Sequence, residues 1–93
     1  MEFEWDPKKD AKNLRKHKVP CSEAATVFGD PLAVTMADPD DSLEEHRNIT
    51  VGLSNRLRLL IVSHVDRGDY VRIISARQLT RSEREAYEEE TQD

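Results

Sequence analysis

Apolar residues recur along this chain with two different periods, and the change of period separates helices from strands. The opening FEW is typical of a short strand, and Asp6 followed by Pro7 supplies an N-cap and a first-turn proline for a helix through about Lys16. Residues 20–28 are predicted to form a second short helix that ends at Gly29, a residue that favours helix C-termini. The N-terminal part of the chain is therefore mainly helical.

The rest of the chain has mostly the period of two that is typical of strands. Alternating apolar residues predict strands at 32–36 and 49–53, separated by the acidic stretch DPDDSLEEH. RLRLLIVSHV and YVRIISAR follow as two strands joined by a hairpin turn at DRGD. Thr80 to Glu83 fits a Thr-x-x-Glu capping box, so a last helix starts there. This order predicts an α+β fold with a mainly antiparallel sheet.

The register of the two long strands decides which side chains share a face of the sheet. Val65 opposite Tyr70 is the register we predict across the turn. It sets four more pairs opposite each other: His64 and Val71, Val62 and Ile73, Leu60 and Ser75, and Arg58 and Arg77. The face that contains Val65 and Tyr70 is the more apolar and is assigned to the helices. It comprises Leu57, Leu59, Ile61, Ser63, Val65, Tyr70, Arg72, Ile74 and Ala76. The other face then carries a strip of Arg58, His64, Ser75 and Arg77.

Arg58 and Arg77 are like charges in opposite positions, and such pairs destabilise a sheet. A bound polyanion would neutralise them by bridging the two guanidinium groups. Alternatively, both side chains extend into water or pair with an acidic residue such as Glu83 or Glu85. The sequence alone leaves both interpretations open.

The position of Arg47 depends on the loop between the third and fourth strands. If this loop consists of residues 54–56, Arg47 lies with Ile49 on the apolar face. If the loop is one residue longer, Arg47 lies opposite His64. A slip of one residue exchanges the two faces of a strand, so both positions stay open.

The charge of the chain is unevenly distributed. The net charge of −5 argues, as an average, against a nucleic-acid partner. Acidic residues, however, outnumber basic ones only in residues 29–48 and 80–93, and the other two segments are net positive. A cationic surface that binds an anionic ligand is therefore compatible with the composition.

Several protein classes are disfavoured. No apolar stretch approaches the roughly 20 residues of a membrane span, so we expect a cytoplasmic protein without a membrane partner. Cys21 is the only cysteine and is expected to be a buried thiol. The acidic stretch lacks the Gly and Glu of an EF-hand loop, and His17, His46 and His64 have no metal-ligand spacing. No metal or other cofactor is expected.

Five segments occur in order along nearly the whole chain. They are FEWDPKKDAKNLRKHKV, EAATVFGDPLAVT, HRNITVG, RLLIVSHVDRGDYVRIISAR and TRSEREAYE. Together they resemble the BrnT toxins of bacterial type II toxin-antitoxin systems. The resemblance implies one domain over residues 1–93 with a RelE-like fold, and a ribonuclease that blocks translation. It also implies neutralisation by a BrnA-type antitoxin that binds operator DNA, and it allows a dimer within the toxin-antitoxin complex.

The resemblance also singles out individual positions. The residues that match the family's recurring polar positions are Lys9, Asn13, Lys16, His17, Arg47, Arg72, Ser75 and Arg77. Two positions depart from the family pattern. Lys18 stands where a glycine usually follows the histidine, and Cys21 stands where an aromatic residue is usual.

RNA cleavage without a metal requires deprotonation of the 2′-hydroxyl, neutralisation of the phosphorane and stabilisation of the leaving oxygen. Arg77, together with Arg47, is expected to stabilise the transition state, because a guanidinium group binds phosphate oxygens bidentately. His64 and His17 are the candidate acid and base, because imidazole titrates near neutral pH. Contacts with the RNA backbone are expected from Lys9, Lys12, Lys16, Arg58 and Arg72.

Two other functions fit the same residues. The first is a non-catalytic module that binds RNA or an acidic protein through the cationic sheet face, and the second is a structural domain with solvated arginines. Binding without cleavage would indicate the first of these. The last helix offers little apolar surface, so we expect a partner to order residues 80–93.

Overall fold

Five strands form one mixed sheet, and three helices pack around it. The computed structural model describes residues 1–39 and 46–91, so most of the acidic stretch DPDDSLEEH lies outside the described residues. The strands are β1 Glu2–Glu4, β2 Val34–Ala37, β3 Asn48–Leu53, β4 Leu59–Arg67 and β5 Tyr70–Gln78. The helices are α1 Pro7–His17, α2 Cys21–Thr26 with a following 3-10 turn Val27–Gly29, and α3 Arg81–Thr91. The predicted α+β class and order of elements are confirmed, and no helix within the described residues is long and apolar enough to cross a membrane.

The sheet has two unequal faces. Its strand order is β1-β5-β4-β3-β2, with β1 parallel to β5 and the other neighbours antiparallel. One face, the helix face, packs against α1 and α2. Its buried core consists of Val19, Cys21, Ala24, Val27, Leu60, Val62, Ile73 and Ala76. The other face, which we call the open face, is bordered by α3 and carries the groove described below as the candidate active site.

The β4–β5 hairpin does not have the predicted register. The two strands continue to Arg67 and Tyr70, which face each other, so the turn consists only of Gly68 and Asp69. Gly68 has a φ of 64°, the left-handed conformation that two-residue hairpin turns use. A further shift follows between Ser63 and His64 of β4, where β5 carries an extra residue.

The extra residue changes which side chains share a face, because beyond it Ile61 and Ser63 of β4 lie on the same face as Ser75 and Arg77 of β5. Arg77 faces Ile61 and not Arg58, so the like-charge pair does not exist. Leu60 and Val62 are fully buried on the helix face, whereas Ile61 lines a groove on the open face. Apolar content does not distinguish the two faces. Helices α1 and α2 cover one face and α3 partly covers the open face, so both faces carry apolar residues.

Asn13 of α1 anchors the edge of β5 beyond the end of β1. Its side-chain amide donates to the carbonyl oxygens of Val19 and Ala76, at 2.8 Å each, and its oxygen accepts from the Ala76 N–H at 3.2 Å. The amide therefore satisfies both backbone groups of Ala76 as a neighbouring strand would. Because Ala76 lies between Ser75 and Arg77, Asn13 fixes the backbone that carries these two side chains.

The two positions that depart from the family pattern both lie at the junction of α1 and α2. Lys18 has a φ of 62°, a left-handed conformation that favours glycine, and its N–H donates to the Leu14 carbonyl at 2.9 Å to end α1. Cys21 is buried, as predicted. Burial, followed by the nearby Asp10 carboxylate, raises the pKa of the Cys21 thiol to about 12, so this thiol is unreactive near neutral pH.

Candidate active site

A groove of about 600 Å³ lies on the open face, where the strands meet the end of α1 and the start of α3. Its polar lining combines cationic, hydroxyl and carboxylate side chains. These are His17, Asp38, Arg47, Ser63, Ser75, Arg77 and Glu83. Ile49 and Ile61 supply apolar lining. We call this site the arginine groove.

Strand pairing explains how Arg47 reaches the same groove as Arg77. The β3–β4 loop spans residues 54–58, so both predicted loop lengths were too short. Its length nevertheless places Ile49 opposite Ser63 on the open face. Arg47 lies two residues before Ile49 in the chain and therefore on the same side. Arg47, which precedes β3, and Arg77 of β5 thus line one groove.

Arg77 is held by a bidentate ion pair with Glu83. Its Nη1 donates to Oε1 at 2.7 Å and its Nη2 donates to Oε2 at 3.0 Å. The two side chains are 38% and 37% exposed, so the pair can be reached from solvent. The hydrogen bonds raise the pKa of Arg77 and, as the largest cause, lower the pKa of Glu83 to about 2. The pair confirms the interpretation in which Arg77 binds an acidic residue of the last helix.

Glu83 also caps α3. Its Oε1 accepts from the Thr80 N–H at 2.8 Å, and the Thr80 hydroxyl oxygen accepts from the Glu83 N–H at 3.2 Å. The predicted capping box is therefore confirmed. One carboxylate fixes both the start of the helix and the orientation of the Arg77 guanidinium group.

A second groove, of about 350 Å³, runs along α1. Its cationic residues are the three lysines that were predicted to contact RNA, Lys9, Lys12 and Lys16. Their spacing of three and four residues places them on one side of the helix. This lysine groove shares His17 and Ser75 with the arginine groove. The two grooves are therefore contiguous and form one cationic path.

His64 does not lie on this path. It is 1% exposed, its Nε2 lies 2.8 Å from the Thr50 hydroxyl and its Nδ1 lies 3.0 Å from a carboxylate oxygen of Asp66. The ring packs edge-on against Phe28, with 4.9 Å between the centroids. Burial lowers the pKa of His64 and outweighs the opposite effect of Asp66. The geometry is that of a neutral structural histidine, so the prediction of His64 as a catalytic acid or base is wrong.

This environment predicts a pH-dependent stability. The pKa of His64 is lower in the folded protein than its ordinary value of 6.5, so below pH 6.5 the unfolded chain binds a proton that the folded chain does not. The free energy of unfolding should therefore fall between pH 7.5 and 5.5, with a slope of at most about 1.4 kcal/mol per pH unit from this group. Urea unfolding at the two pH values measures it. In His64→Gln the same fall should be reduced, and an unchanged pH dependence would contradict the assignment.

Two arginines that were predicted to contact RNA also lie away from both grooves. The Arg58 guanidinium group forms an ion pair with Glu23 of α2, which is 4% exposed. Arg72 donates to the Glu4 carboxylate of β1 at 2.8 Å. Each ion pair connects neighbouring elements, and neither arginine lines the arginine groove or the lysine groove.

Three residues of the arginine groove were absent from the predicted site. Ser63 was assigned to the opposite face because of the register error, and Asp38 belongs to the acidic stretch, which was considered only as an EF-hand loop. The sequence contained a signal that could have placed Glu83 in the site. A capping-box glutamate that starts a helix two residues after β5 must lie close to the last side chains of that strand, including Arg77.

Comparison with known proteins agrees with this fold. The sequence model of a family described as the ribonuclease toxin BrnT of type II toxin-antitoxin systems matches residues 5–83. No curated protein sequence gave a match. The 1.1 Å crystal structure of the Brucella abortus ribonuclease toxin BrnT superimposes with a TM-score of 0.68 at 21% identity, covering 87% of this chain and 99% of that one, which shows a shared fold. Because the family model matches most of the sequence, the chain belongs to the BrnT family of ribonuclease toxins of type II toxin-antitoxin systems.

Proposed function

We propose that residues 1–93 act as one toxin domain, an endoribonuclease that cleaves RNA in the bacterial cytoplasm without a metal ion and thereby inhibits translation. The observation that carries the proposal is the convergence of Arg47 and Arg77 on one groove that is contiguous with three lysines. RNA has one phosphate per nucleotide, so a cationic path next to an arginine pair suits a bound strand. Membership of a ribonuclease family supports the reaction type.

The groove residues divide the chemical work between them. Arg77 and Arg47 bind the non-bridging oxygens of the scissile phosphate and stabilise the additional charge of the phosphorane. The 2′-hydroxyl loses its proton and attacks the adjacent phosphorus, and the 5′-oxygen leaves with a proton. His17 is the proposed proton-transfer group, because it lines the groove and the two imidazole nitrogens can accept and donate a proton. The Ser63 and Ser75 hydroxyls orient the phosphate. The products are a 2′,3′-cyclic phosphate and a 5′-hydroxyl.

Neutralisation follows from the same geometry. Toxins of type II systems pair with a protein antitoxin, and for this chain we propose one of the BrnA type. An antitoxin that covers the arginine groove would prevent RNA from entering. Contact with operator DNA then comes through the antitoxin, and the complex can contain a toxin dimer.

The direct test is incubation of the purified protein with a defined single-stranded RNA in the presence of EDTA. We expect fragments that end in a 2′,3′-cyclic phosphate, and no cleavage after addition of the antitoxin. In cells, induction without the antitoxin should stop growth while RNA is degraded. RNA that is bound but never cleaved would instead support the non-catalytic binding module.

Arg47 provides a more specific prediction. Arg47→Gln should lower the single-turnover cleavage rate by about 10²-fold, because it removes a charged donor from the developing phosphorane. Arg56→Gln is the matched control, since it removes the same charge from an exposed residue outside both grooves. Thermal unfolding is the check that both variants are folded. Equal losses in the two variants would mean that Arg47 contributes only through the net charge.

A further inference from the structure

Glu83 occupies the edge of Arg77 that its two terminal nitrogens form, a position that a phosphate can also bind. A guanidinium group offers this edge and the Nε edge for bidentate recognition, and carboxylate and phosphate both present a pair of oxygens that match them. In this protein both terminal nitrogens of Arg77 donate to the two oxygens of Glu83, at 2.7 and 3.0 Å. Bidentate binding of an RNA phosphate by the two terminal nitrogens of Arg77 therefore requires that this pair opens.

We propose that Glu83 is an internal mimic of the substrate phosphate, and that RNA enters the arginine groove by displacing its carboxylate from Arg77. The inference rests on the proposed function and names the step by which the substrate reaches its site. Glu83 lines the arginine groove itself, so the displaced carboxylate and the incoming phosphate compete for one position.

The surroundings of the pair allow this exchange. Both side chains are more than one-third exposed, so water can solvate the carboxylate as it leaves. The Tyr87 hydroxyl donates to the Leu32 carbonyl at 3.0 Å and Leu79 is buried, so α3 has anchors that do not depend on the pair. Rotation of the Glu83 side chain can therefore free Arg77 without detachment of the helix.

The competing interpretation makes Glu83 the general base of the reaction. A carboxylate with a pKa of about 2 is a weak proton acceptor near neutral pH. The hydrogen bonds to Arg77 and to the Thr80 N–H also occupy its oxygens. Its arrangement fits a blocking group better than a base.

Glu83→Gln separates blocking from folding. Glutamine is accepted at the last position of a capping box, so the variant keeps the bond to the Thr80 N–H. It loses the charge and one of the two oxygens that accept from Arg77. A half-exposed ion pair contributes up to about 1 kcal/mol, which corresponds to about a fivefold change in affinity. The expected result is that Glu83→Gln binds a 2′-O-methyl RNA oligonucleotide about fivefold more tightly than the wild type. This probe carries the phosphates of RNA and lacks the nucleophile, so it is not cleaved.

Glu85→Gln is the matched control. It removes the same charge from the same helix, its partner is Arg81 at 3.3 Å, and it lies outside the arginine groove. Its affinity for the oligonucleotide should change by less than about twofold. Unchanged or weaker binding by Glu83→Gln would overturn the proposal, as would an equal gain in Glu85→Gln. An unchanged affinity with a much lower cleavage rate would identify Glu83 as a proton acceptor instead.

Arg77→Gln in the same assay distinguishes failure of the displacement step from failure of the proposed function. If Arg77→Gln loses affinity while Glu83→Gln gains none, the groove still binds RNA and only the displacement step is wrong. If Arg77→Gln binds as tightly as the wild type, Arg77 does not bind phosphate, and the function proposed for the groove fails as well.

Discussion

Replacement of Arg77 by alanine is expected to lower the rate of RNA cleavage by about 10³-fold while the protein stays folded. The large effect on rate follows from the bidentate donor pair that Arg77 offers to a phosphorane, whose negative charge is greater than that of the ground-state phosphate. The small effect on stability follows from its position. The pair with Glu83 is more than one-third exposed, so its loss should cost about 1 kcal/mol or less.

Single-turnover cleavage of a defined RNA measures the rate, and thermal unfolding measures stability. Arg77→Lys tests the shape of the donor: it keeps the charge and loses the planar fork, so it should recover only a small part of the rate. Arg81→Ala is the control, because Arg81 is 93% exposed and outside the arginine groove. A rate for Arg77→Ala within about threefold of the wild type would exclude Arg77 from the transition state.

The helix starts could be predicted from the sequence because their signals are local. The Asp6 carboxylate accepts from the Lys8 N–H at 2.9 Å, and Thr80 and Glu83 exchange their capping bonds. Each of these contacts joins residues that are two or three positions apart. The chain must place them close together whatever the rest of the fold does, so the pattern is a reliable guide.

The faces of the sheet could not be predicted because they depend on residue counts across the hairpin. The hairpin turn has two residues where four were assumed, and β5 has one extra residue between Ile73 and Ser75. An extra residue in one strand changes the face to which every later side chain belongs. The extra residue placed Ser75 and Arg77 beside Ser63 and Ile61, whereas Arg58 lies in the β3–β4 loop.

The positions of the candidate side chains could be predicted where they depend on helical spacing and not where they depend on distant partners. The three lysines of α1 line one groove because their spacing follows the helix. Arg58 and His64 were misassigned because their partners, Glu23 and Thr50, lie 35 and 14 residues away in the sequence. A charged or titratable side chain looks available in a sequence until the fold shows what it binds.

Arg58 should therefore behave as a structural residue. Its Nε donates to Glu23 Oε2 at 2.9 Å, its Nη2 contacts Oε1, and its Nη2 also donates to the Lys18 carbonyl at 3.1 Å. Arg58→Ala leaves the carboxylate of Glu23 buried, with Ser54 still donating to it at 2.7 Å. Removal of one partner of a buried ion pair costs about 3–5 kcal/mol, a large part of the roughly 5–15 kcal/mol that stabilises a domain.

Urea unfolding of Arg58→Ala should show this loss, whereas Arg56→Ala, an exposed neighbour in the same loop, should change stability by less than about 0.5 kcal/mol. The hydrogen bond from Arg58 is the largest cause that lowers the pKa of Glu23 in the folded protein. The stabilisation is therefore present above pH 4.5, the ordinary pKa of a glutamate such as Glu23. It is lost as the pH falls below this value. The difference between wild type and Arg58→Ala should shrink accordingly at acidic pH. A variant that keeps its full stability and yet binds RNA ten times more weakly would instead place Arg58 on the RNA path, because only a direct contact with the strand could then explain the loss.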